Sequence, residues 1–418
     1  MMKIIHNISE CLTMAGGPRR GSAMSDPGVI QDAAIVIDGE IIADLGRSDN
    51  LLDIYQDAER IDAANRAVIP GFVDPHTHLV WVGDRANEFE MRLQGKTYME
   101  IMAAGGGILA TLTATRQADV DTMVSQSRER AERAFRYGTT TMEVKTGYGL
   151  DLETEFRQLE AILHLNDLGP LELVPTYMGA HAIPKGFPGG TAGYTDWICE
   201  EALPKTKMWW QNHAPGKPLP FNDVFCEQGV FEIEETRRIL LRGEELGFRS
   251  KLHADEFVNL GGASLAAEIG AISADHLVKT SPEDIKCLAA SETVAVSLPG
   301  TPFGLGQQEY TPARAIIEAG GYLALATDLN PGTTWNESMQ FIQALACRYM
   351  KLTPAEALAA ATINAAKAVG LEDKVGSIDV GKQADLLVLD VSDYRHLTYR
   401  YGTNLVAEVF KKGKRYVN

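Results

Sequence analysis

Short apolar runs alternate with longer amphipathic stretches through the middle of this chain. The short runs predict buried strands, and the longer stretches, such as residues 119–137 and 232–246, have the spacing of helices with few breakers. The predicted strands cover residues 67–73, 139–144, 171–176 and 222–226 and the segments that end at His253, His276, Leu298 and Asp328. Eight such units predict an α/β protein built on a (β/α)8 barrel, with polar site residues at the carboxyl ends of the strands.

Both ends of the chain follow a different pattern, with strands and tight turns but few helical stretches. Residues 33–45 predict a hairpin with Asp38 and Gly39 in its turn, and residues 384–417 predict three further strands. Neither end could bury a sheet face alone, so we expect both ends to pack together. The sequence predicts a discontinuous β-sandwich domain from residues 1–68 and 371–418, and a barrel from residues 69–370. The Lys/Gly run at 411–414 is interpreted as a solvated turn.

Composition narrows the partners and the compartment. The chain has 418 residues, 45% of them hydrophobic, and a net charge of −17 that disfavours nucleic acid and anionic membranes as partners. Its five cysteines are scattered and odd in number, which favours reduced thiols over a disulfide framework. The first residues lack the apolar core of a signal peptide, and the sequence holds no apolar run of membrane-spanning length. We therefore expect a soluble, cytoplasmic protein.

Histidines and an aspartate at predicted strand ends indicate a metal site. His76 and His78 follow the first strand, and residues two apart on a strand point to the same face. His253 and Asp328 end two later strands, so all four side chains would meet at one end of the barrel. Three imidazoles and one carboxylate suit a single zinc or iron ion, and the sequence leaves both metals open.

The same strand ends carry groups that could move protons. A metal lowers the pKa of bound water towards neutrality, and a base must then accept the proton that the water loses. Asp328 and His276 are both candidates for that base, and Glu256 is the candidate acid for the leaving atom. The ordinary alternatives are a core histidine bonded to a backbone carbonyl and a carboxylate on a loop surface.

At this point the motifs resemble the amidohydrolase superfamily of metal-dependent hydrolases. The resemblance runs from about residue 33 to the end and rests on residues 70–78 together with the later strand-end residues. Subgroup-specific similarity lies at residues 81–89, 145–149, 178–182, 253–257 and 328–333. It implies histidine degradation: hydrolysis of 4-imidazolone-5-propanoate to N-formimidoyl-L-glutamate, by attack of a metal-bound hydroxide on the ring carbonyl. It also implies a homodimer.

The resemblance also implies which residues contact the small anionic substrate. Arg85 would clamp the propanoate, since a guanidinium can bind a carboxylate through two hydrogen bonds. The remaining implied contacts are Tyr148, His181, Glu256, Asn330, Gly332 and Thr333, the last three on a turn whose N–H groups could point into the pocket.

The same predicted framework also suits two alternatives, a deaminase and a site with two metal ions. A metal-dependent deaminase of a cyclic amidine or nucleobase would use the same metal ligands but would release ammonia. Lys145 suggests the carboxylated lysine that bridges two metals in some superfamily members. It ends the second predicted strand, however, whereas the bridging residue belongs on the fourth, so we expect one metal ion in each subunit.

Overall fold

The computed structural model describes residues 2–96, 100 and 105–418, and its strands form two sheets. The chain begins with β1 (Lys3–Leu12), β2 (Val29–Asp38), β3 (Ile41–Arg47) and β4 (Glu59–Pro70). Eight strands follow: β5 (Phe72–Asp74), β6 (Thr139–Lys145), β7 (Glu172–Ala180), β8 (Phe221–Cys226), β9 (Arg249–Ala254), β10 (Ser273–His276), β11 (Val294–Ser297) and β12 (Tyr322–Leu325). The chain ends with β13 (Leu386–Leu389), β14 (Val406–Lys411) and β15 (Lys414–Val417).

Strands β5 to β12 pair in parallel and in chain order, which confirms the predicted barrel. The barrel closes just beyond the ends of β12 and β5. There the Asp328 N–H donates to the His76 carbonyl at 3.1 Å, and the His78 N–H donates to the Leu329 carbonyl at 2.9 Å. The residues that close the barrel are therefore also residues of the predicted metal site.

Helices connect the strands and cover the outside of the barrel. The helix predicted over 119–137 spans Val120–Arg136, and the one predicted over 232–246 spans Ile233–Leu246. Further helices lie at Ser48–Ile54, Ala86–Leu93, Ile108–Gln117, Leu152–Leu168, Gly190–Trp197, Leu203–His213, Gly262–Ile269, Pro282–Ala289, Gly300–Gly304, Ala313–Glu318, Met339–Tyr349, Pro354–Ala361, Ile363–Ala368 and His396–Tyr399, with a 3-10 turn at Gly21–Ser25 and a π turn at Ile198–Ala202. Within the described ranges, none of these helices combines the length and the apolar character needed to cross a bilayer.

Both chain ends contribute to one seven-stranded sheet, in the order β15-β14-β13-β4-β1-β2-β3. The N-terminal and C-terminal parts join where Ile69 pairs with Leu387. The sheet also curls back on itself, because the Ile42 N–H donates to the Lys382 carbonyl at 2.8 Å. Its inner face buries apolar side chains from both ends, Ile35 and Phe410 among them. The prediction of a second, smaller β domain built from both termini is confirmed.

Local details differ from the predictions at three places. The single strand predicted over 67–73 is two strands, β4 in the small sheet and β5 in the barrel, with Gly71 between them. Gly71 leaves space for the Thr140 side chain, which would lie 2.4 Å from an added Cβ. The hairpin turn consists of Gly39 and Glu40, one position later than predicted. Lys411 is buried rather than solvated, because its amine pairs with carboxylates.

Candidate metal centre and substrate pocket

Four side chains predicted as metal ligands converge at the carboxyl end of the barrel. His76 and His78 follow β5, His253 lies on β9, and Asp328 follows β12. The Nε2 atoms of His76 and His78 lie 3.6 and 3.8 Å from Asp328 Oδ1. The ring of His253 lies 4.4 Å from that of His76, centroid to centroid, and all four side chains are buried. The strand ends therefore bring these donors to one point.

The donor atoms fit a single metal ion. Two overlapping groups, His76 with His253 and His276, and His76 with His78 and Asp328, each offer ligand atoms that lie within 4.8 Å of one another. His76 Nε2 is buried and, among the described residues, has no hydrogen-bond partner. An unpartnered buried nitrogen is costly unless something else satisfies it, and a metal ion would do so. His276, predicted as a base, also lies close enough to ligate.

Two carboxylates that the sequence analysis missed fix the histidine rings from behind. Asp275 Oδ2 lies 2.6 Å from His76 Nδ1, and Asp223 Oδ1 lies 3.1 Å from His253 Nδ1. Burial alone would raise the pKa of Asp223, but the charges of His253 and Lys145 hold it well below its usual value. An ionised carboxylate can only accept, so the ring donates from Nδ1 and turns Nε2 towards the centre. Their position on strands next to ligand strands was the only sequence signal.

Lys145 lies beneath these carboxylates, inside the barrel. Its Nζ donates to Glu143 and to Asp223, both at 2.7 Å, and the lysine and both carboxylates are fully buried. Burial by itself would lower the pKa of the Lys145 amine, but the charges of Asp223 and Glu143 outweigh it and raise that pKa. The protonated amine thus donates to two buried carboxylates and balances their charge.

Glu256 and His276, the residues predicted as acid and base, lie close to each other. His276 Nε2 lies 3.7 Å from Glu256 Oε2. Burial, followed by the charges of Asp328 and Glu227, raises the pKa of the Glu256 carboxyl well above its usual value. Glu256 is buried, so it is not a surface carboxylate, and His276 Nδ1 makes no hydrogen bond to any described residue, so it is not tied to a backbone carbonyl.

The backbone is strained where these side chains enter the site. Asp255, His276 and Asp328 have φ values of 53°, 77° and 52°, in the left-handed region that side chains other than glycine rarely adopt. Asp255 directly follows β9, His276 ends β10, and Asp328 lies three residues beyond the end of β12. Such strain persists where the surrounding structure enforces it, and it is concentrated at functional sites.

Two predicted substrate contacts, Tyr148 and His181, lie beside His78. The ring of His181 stacks on that of His78 with centroids 4.9 Å apart, and the Tyr148 ring lies 5.5 Å from His181. His181 Nδ1 lies 3.0 Å from the Gly147 carbonyl, so Nδ1 carries the proton in that hydrogen bond. Burial, together with the charge of His253, lowers the pKa of His181 to about 4, so its ring is neutral at physiological pH.

Arg85 is held by a residue that the sequence analysis missed. Its Nε and Nη2 donate to Glu88 Oε2 at 2.9 and 2.7 Å, and the other oxygen of buried Glu88 accepts from the Gly107 N–H at 2.8 Å. Nη1 lies beside Gly332, where an added Cβ would be 2.4 Å away. Arg85 is therefore largely enclosed and not a free loop arginine, with one edge of its guanidinium held by Glu88. Glutamate three residues after Arg85 on a helix was a readable signal.

The turn after Asp328 is organised by Asn330. The N–H groups of Gly332 and Thr333 donate to Asn330 Oδ1 at 2.7 and 2.9 Å, and the Asn330 amide donates to the Asp328 carbonyl at 2.7 Å. These two N–H groups thus point at the Asn330 side chain and not into the pocket, contrary to the prediction for them. Asn330 shapes the pocket wall on which Gly332 lies against Arg85.

Comparisons with known proteins agree with this geometry. The profile of the Amidohydrolase family matches residues 244–416. A curated relative from Herpetosiphon aurantiacus, named imidazolonepropionase, is 50% identical over 412 residues, covering 99% of this chain and 96% of that protein. A second one, from Symbiobacterium thermophilum, carries the same name and is 49% identical, covering 98% of this chain and 96% of its own length. These matches begin well before residue 33, earlier than the resemblance noted in the sequence.

Solved structures share the fold at much lower identity. An adenosine deaminase from Xanthomonas campestris with bound zinc superposes with a TM-score of 0.69 at 19% identity, covering 99% of this chain and 92% of that one. Guanine deaminase from E. coli gives 0.70 at 16% identity, covering 100% and 99%. Similarity at this level shows the fold alone, whereas the near-full-length relatives show the family. The chain belongs to the imidazolonepropionase family of amidohydrolases.

Proposed function

We propose that this chain hydrolyses 4-imidazolone-5-propanoate to N-formimidoyl-L-glutamate, a step of histidine degradation. The observation that carries the proposal is a largely enclosed guanidinium, Arg85, at the same barrel end as a buried cluster of three histidines and an aspartate. A small anionic ring needs both a cation for its carboxylate and a hydrolytic centre for its ring carbonyl. The names of near-full-length relatives support the same reaction.

We assign one zinc or iron ion to His76, His78, His253 and Asp328. All four offer donor atoms of the types that these metals take in catalytic sites. When bound, the ion would supply a water of lowered pKa as the nucleophile and would polarise the ring carbonyl. Both metals remain open, since an N3O donor set suits either.

The remaining pocket residues bind and orient the substrate. Arg85 Nη1 would take the propanoate carboxylate while Glu88 holds the other edge of the guanidinium. Tyr148 and His181 would hold the ring by hydrogen bonds from the opposite wall, against His78. The turn carrying Asn330, Gly332 and Thr333 completes the pocket beside Arg85. Orientation of this kind brings the carbonyl carbon to the nucleophile before reaction.

Glu256, His276 and Asp328 transfer the protons of the reaction. One water is consumed: its oxygen bonds to the ring carbonyl carbon, the bond from that carbon to the ring nitrogen breaks, and the carbonyl becomes a carboxylate. Asp328 or His276 accepts the proton that the water loses. Glu256, whose raised pKa favours the protonated form, delivers a proton to the departing nitrogen. Its carboxyl lies 3.7 Å from His276, which allows the proton to return between turnovers.

We further propose a cytoplasmic homodimer. The reduced-thiol pattern of the cysteines and the acidic net charge favour the cytoplasm, and the family resemblance favours the dimer. Light scattering coupled to size-exclusion chromatography should give twice the 45.5 kDa mass of the chain. A mass of one chain at micromolar concentration would contradict the dimer.

Mass spectrometry and an ammonia assay on the metal-loaded protein test the reaction. We expect the substrate to gain one water with no release of ammonia. Arg85→Ala should raise KM for the substrate and lower kcat/KM about 10- to 100-fold, the cost of a hydrogen bond to a charged group. Arg128→Ala is the matched control, since Arg128 pairs with Glu132 on an exposed helix face. Unchanged substrate, or ammonia among the products, would contradict the proposal, and ammonia would favour the deaminase alternative.

A further inference from the structure

A buried lysine connects the strands that carry the metal centre. Lys145 Nζ bonds to Glu143 and Asp223 at 2.7 Å each and lies 3.7 Å from Asp275 Oδ2. Asp223 and Asp275 are the two carboxylates that accept from His253 and His76. The Lys145 side chain on β6 therefore contacts Asp223 on β8 and Asp275 on β10, the two groups behind His253 and His76.

Strand β6 also forms hydrogen bonds with Thr77, the residue between the first two proposed ligands. The Lys145 N–H donates to the Thr77 carbonyl at 2.9 Å, and Thr77 lies between His76 and His78. The Thr77 hydroxyl donates to the Glu143 carbonyl at 2.6 Å, and its N–H donates to a Glu143 carboxylate oxygen at 3.3 Å. Residues 143 and 145 thus hold the His-x-His segment, and the Lys145 side chain also reaches Asp223 and Asp275.

We propose that Lys145 is a positioning residue for the metal centre: through Asp223 and Asp275 it sets the orientation of His253 and His76. Charge and hydrogen bonding give the reason. Three carboxylates, those of Glu143, Asp223 and Asp275, are fully buried close together and would repel one another without a cation between them. With the lysine in place, Asp223 and Asp275 each have a fixed position from which they accept from the ring N–H of His253 and His76.

A second buried lysine, Lys251, also lies near Asp275 but differs from Lys145 in its hydrogen bonds. Lys251 Nζ donates to the Pro75 and Ala368 carbonyls at 3.0 and 3.2 Å, and it lies 4.0 Å from Asp275. Its hydrogen bonds therefore go to the backbone and not to the carboxylates behind the histidines. Since both lysines are fully buried, the difference lies in their partners and not in their burial.

Metal affinity without substrate tests the inference, which rests on the proposed metal site. Metal-free wild type, Lys145→Met and Lys411→Met would be titrated with cobalt(II) against a chromophoric chelator, and their visible spectra recorded. Lys411 is the matched control: it is also buried and bonded to two carboxylates, but at the other end of the barrel. Thermal unfolding of each metal-free protein would measure the general loss of stability.

We expect Lys145→Met to weaken cobalt binding about 10- to 100-fold, the usual cost of losing a group behind metal ligands, and to alter the cobalt spectrum. Lys411→Met should lower thermal stability but leave the dissociation constant within threefold of the wild type. If Lys145 acts through Asp223, the losses in Lys145→Met and Asp223→Asn should not add in the double variant.

Each other outcome overturns one idea. Equal cobalt affinity in the wild type and Lys145→Met, or equal losses in the two methionine variants, would overturn the positioning role. A wild type that binds no cobalt would overturn the metal site itself and the inference with it. If Lys145→Met does not fold, Lys145→Gln replaces it under the same criteria, since glutamine keeps a donor but removes the charge.

Discussion

Two buried lysines bridge carboxylates at opposite ends of the barrel, and they hold different things together. Lys145 lies under the candidate metal centre, at the carboxyl end of β6, where its partner Asp223 also accepts from His253. Lys411, on β14 of the small sheet, lies 2.7 Å from Asp385 and 3.1 Å from Glu172, the first residue of β7. The Lys145 cluster lies beneath the candidate metal centre, and the Lys411 cluster lies where the small sheet meets β7 of the barrel.

The two clusters differ in the hydrogen bonds that their carboxylates accept from groups other than the bridging lysine. Around Lys411 those bonds go to side chains and backbone of the junction: Glu172 also accepts from Lys374 at 2.6 Å, and Asp385 accepts from the Lys412 N–H at 2.9 Å. Around Lys145, Asp223 and Asp275 accept from imidazoles, whereas Glu143 accepts from the Thr176 hydroxyl and the Thr77 N–H. The same buried ion pair can therefore fix either a domain contact or a ligand ring. Changes at the Lys145 cluster, called the upper cluster, should affect catalysis. Changes at the Lys411 cluster, called the lower cluster, should affect the free energy of unfolding.

The largest effect should come from removing a ligand above Lys145. His253→Ala should lower kcat/KM about a thousandfold or more, because transition-state stabilisation by a metal amounts to several kcal/mol. Metal content per chain should fall with it, measured by elemental analysis after dialysis. His164→Ala, an exposed histidine on an outer helix, should keep both quantities. A full metal complement in His253→Ala would remove His253 from the ligand set.

A change at the lower cluster should act on the free energy of unfolding instead. Burial alone would raise the pKa of Glu172, but the charges of Lys411 and Lys374 lower it to about 2. The folded pKa is thus below the ordinary 4.5, so the carboxylate stabilises the fold above pH 4.5, and this contribution is lost as the pH falls from 4.5 towards 2. Glu172→Gln should destabilise the protein by about 2–3 kcal/mol at pH 7.

Urea unfolding at pH 7 and at pH 3.5 measures that contribution. The gap between wild type and Glu172→Gln should narrow at the lower pH, while kcat/KM at pH 7 stays close to the wild type. Glu129→Gln is the matched control. Glu129 is exposed and its ion pair with Arg133 is as long as 4.0 Å, so the substitution should change the free energy of unfolding by less than about 0.5 kcal/mol. If the difference in free energy of unfolding between wild type and Glu172→Gln is the same at both pH values, Glu172 does not contribute to the loss of stability in acid.

The smallest effect should appear at the rim of the upper site. Glu88→Gln removes the charge that holds Arg85, so KM for the substrate should rise about tenfold, the lower range for a hydrogen bond to a charged group, with kcat within twofold. Glu90→Gln, exposed on the same helix, should behave as the wild type. Steady-state kinetics measure both. An unchanged KM in Glu88→Gln would show that Arg85 keeps its place without this carboxylate.

Sequence patterns gave the barrel because its strands and helices are read from local periodicity. The histidines and Asp328 could be predicted as site residues because they lie at the ends of strands, where parallel barrels carry their active sites. The pattern misplaced the boundary at Gly71, because an unbroken apolar run does not reveal that its two halves belong to different sheets. It also took Lys411 for a solvated residue, since the carboxylates that bury its amine come from distant parts of the chain.

By itself, the sequence determined the eight-unit barrel, the small domain from both termini, and the strand-end residues that offer metal and proton chemistry. These depend on period, spacing and residue type, which are local properties of the chain. Only the tertiary structure decided that Asp223 and Asp275 stand behind His253 and His76, and that Lys145 bridges these two carboxylates. These contacts join separate strands, and they depend on side-chain directions that only packing in the barrel fixes.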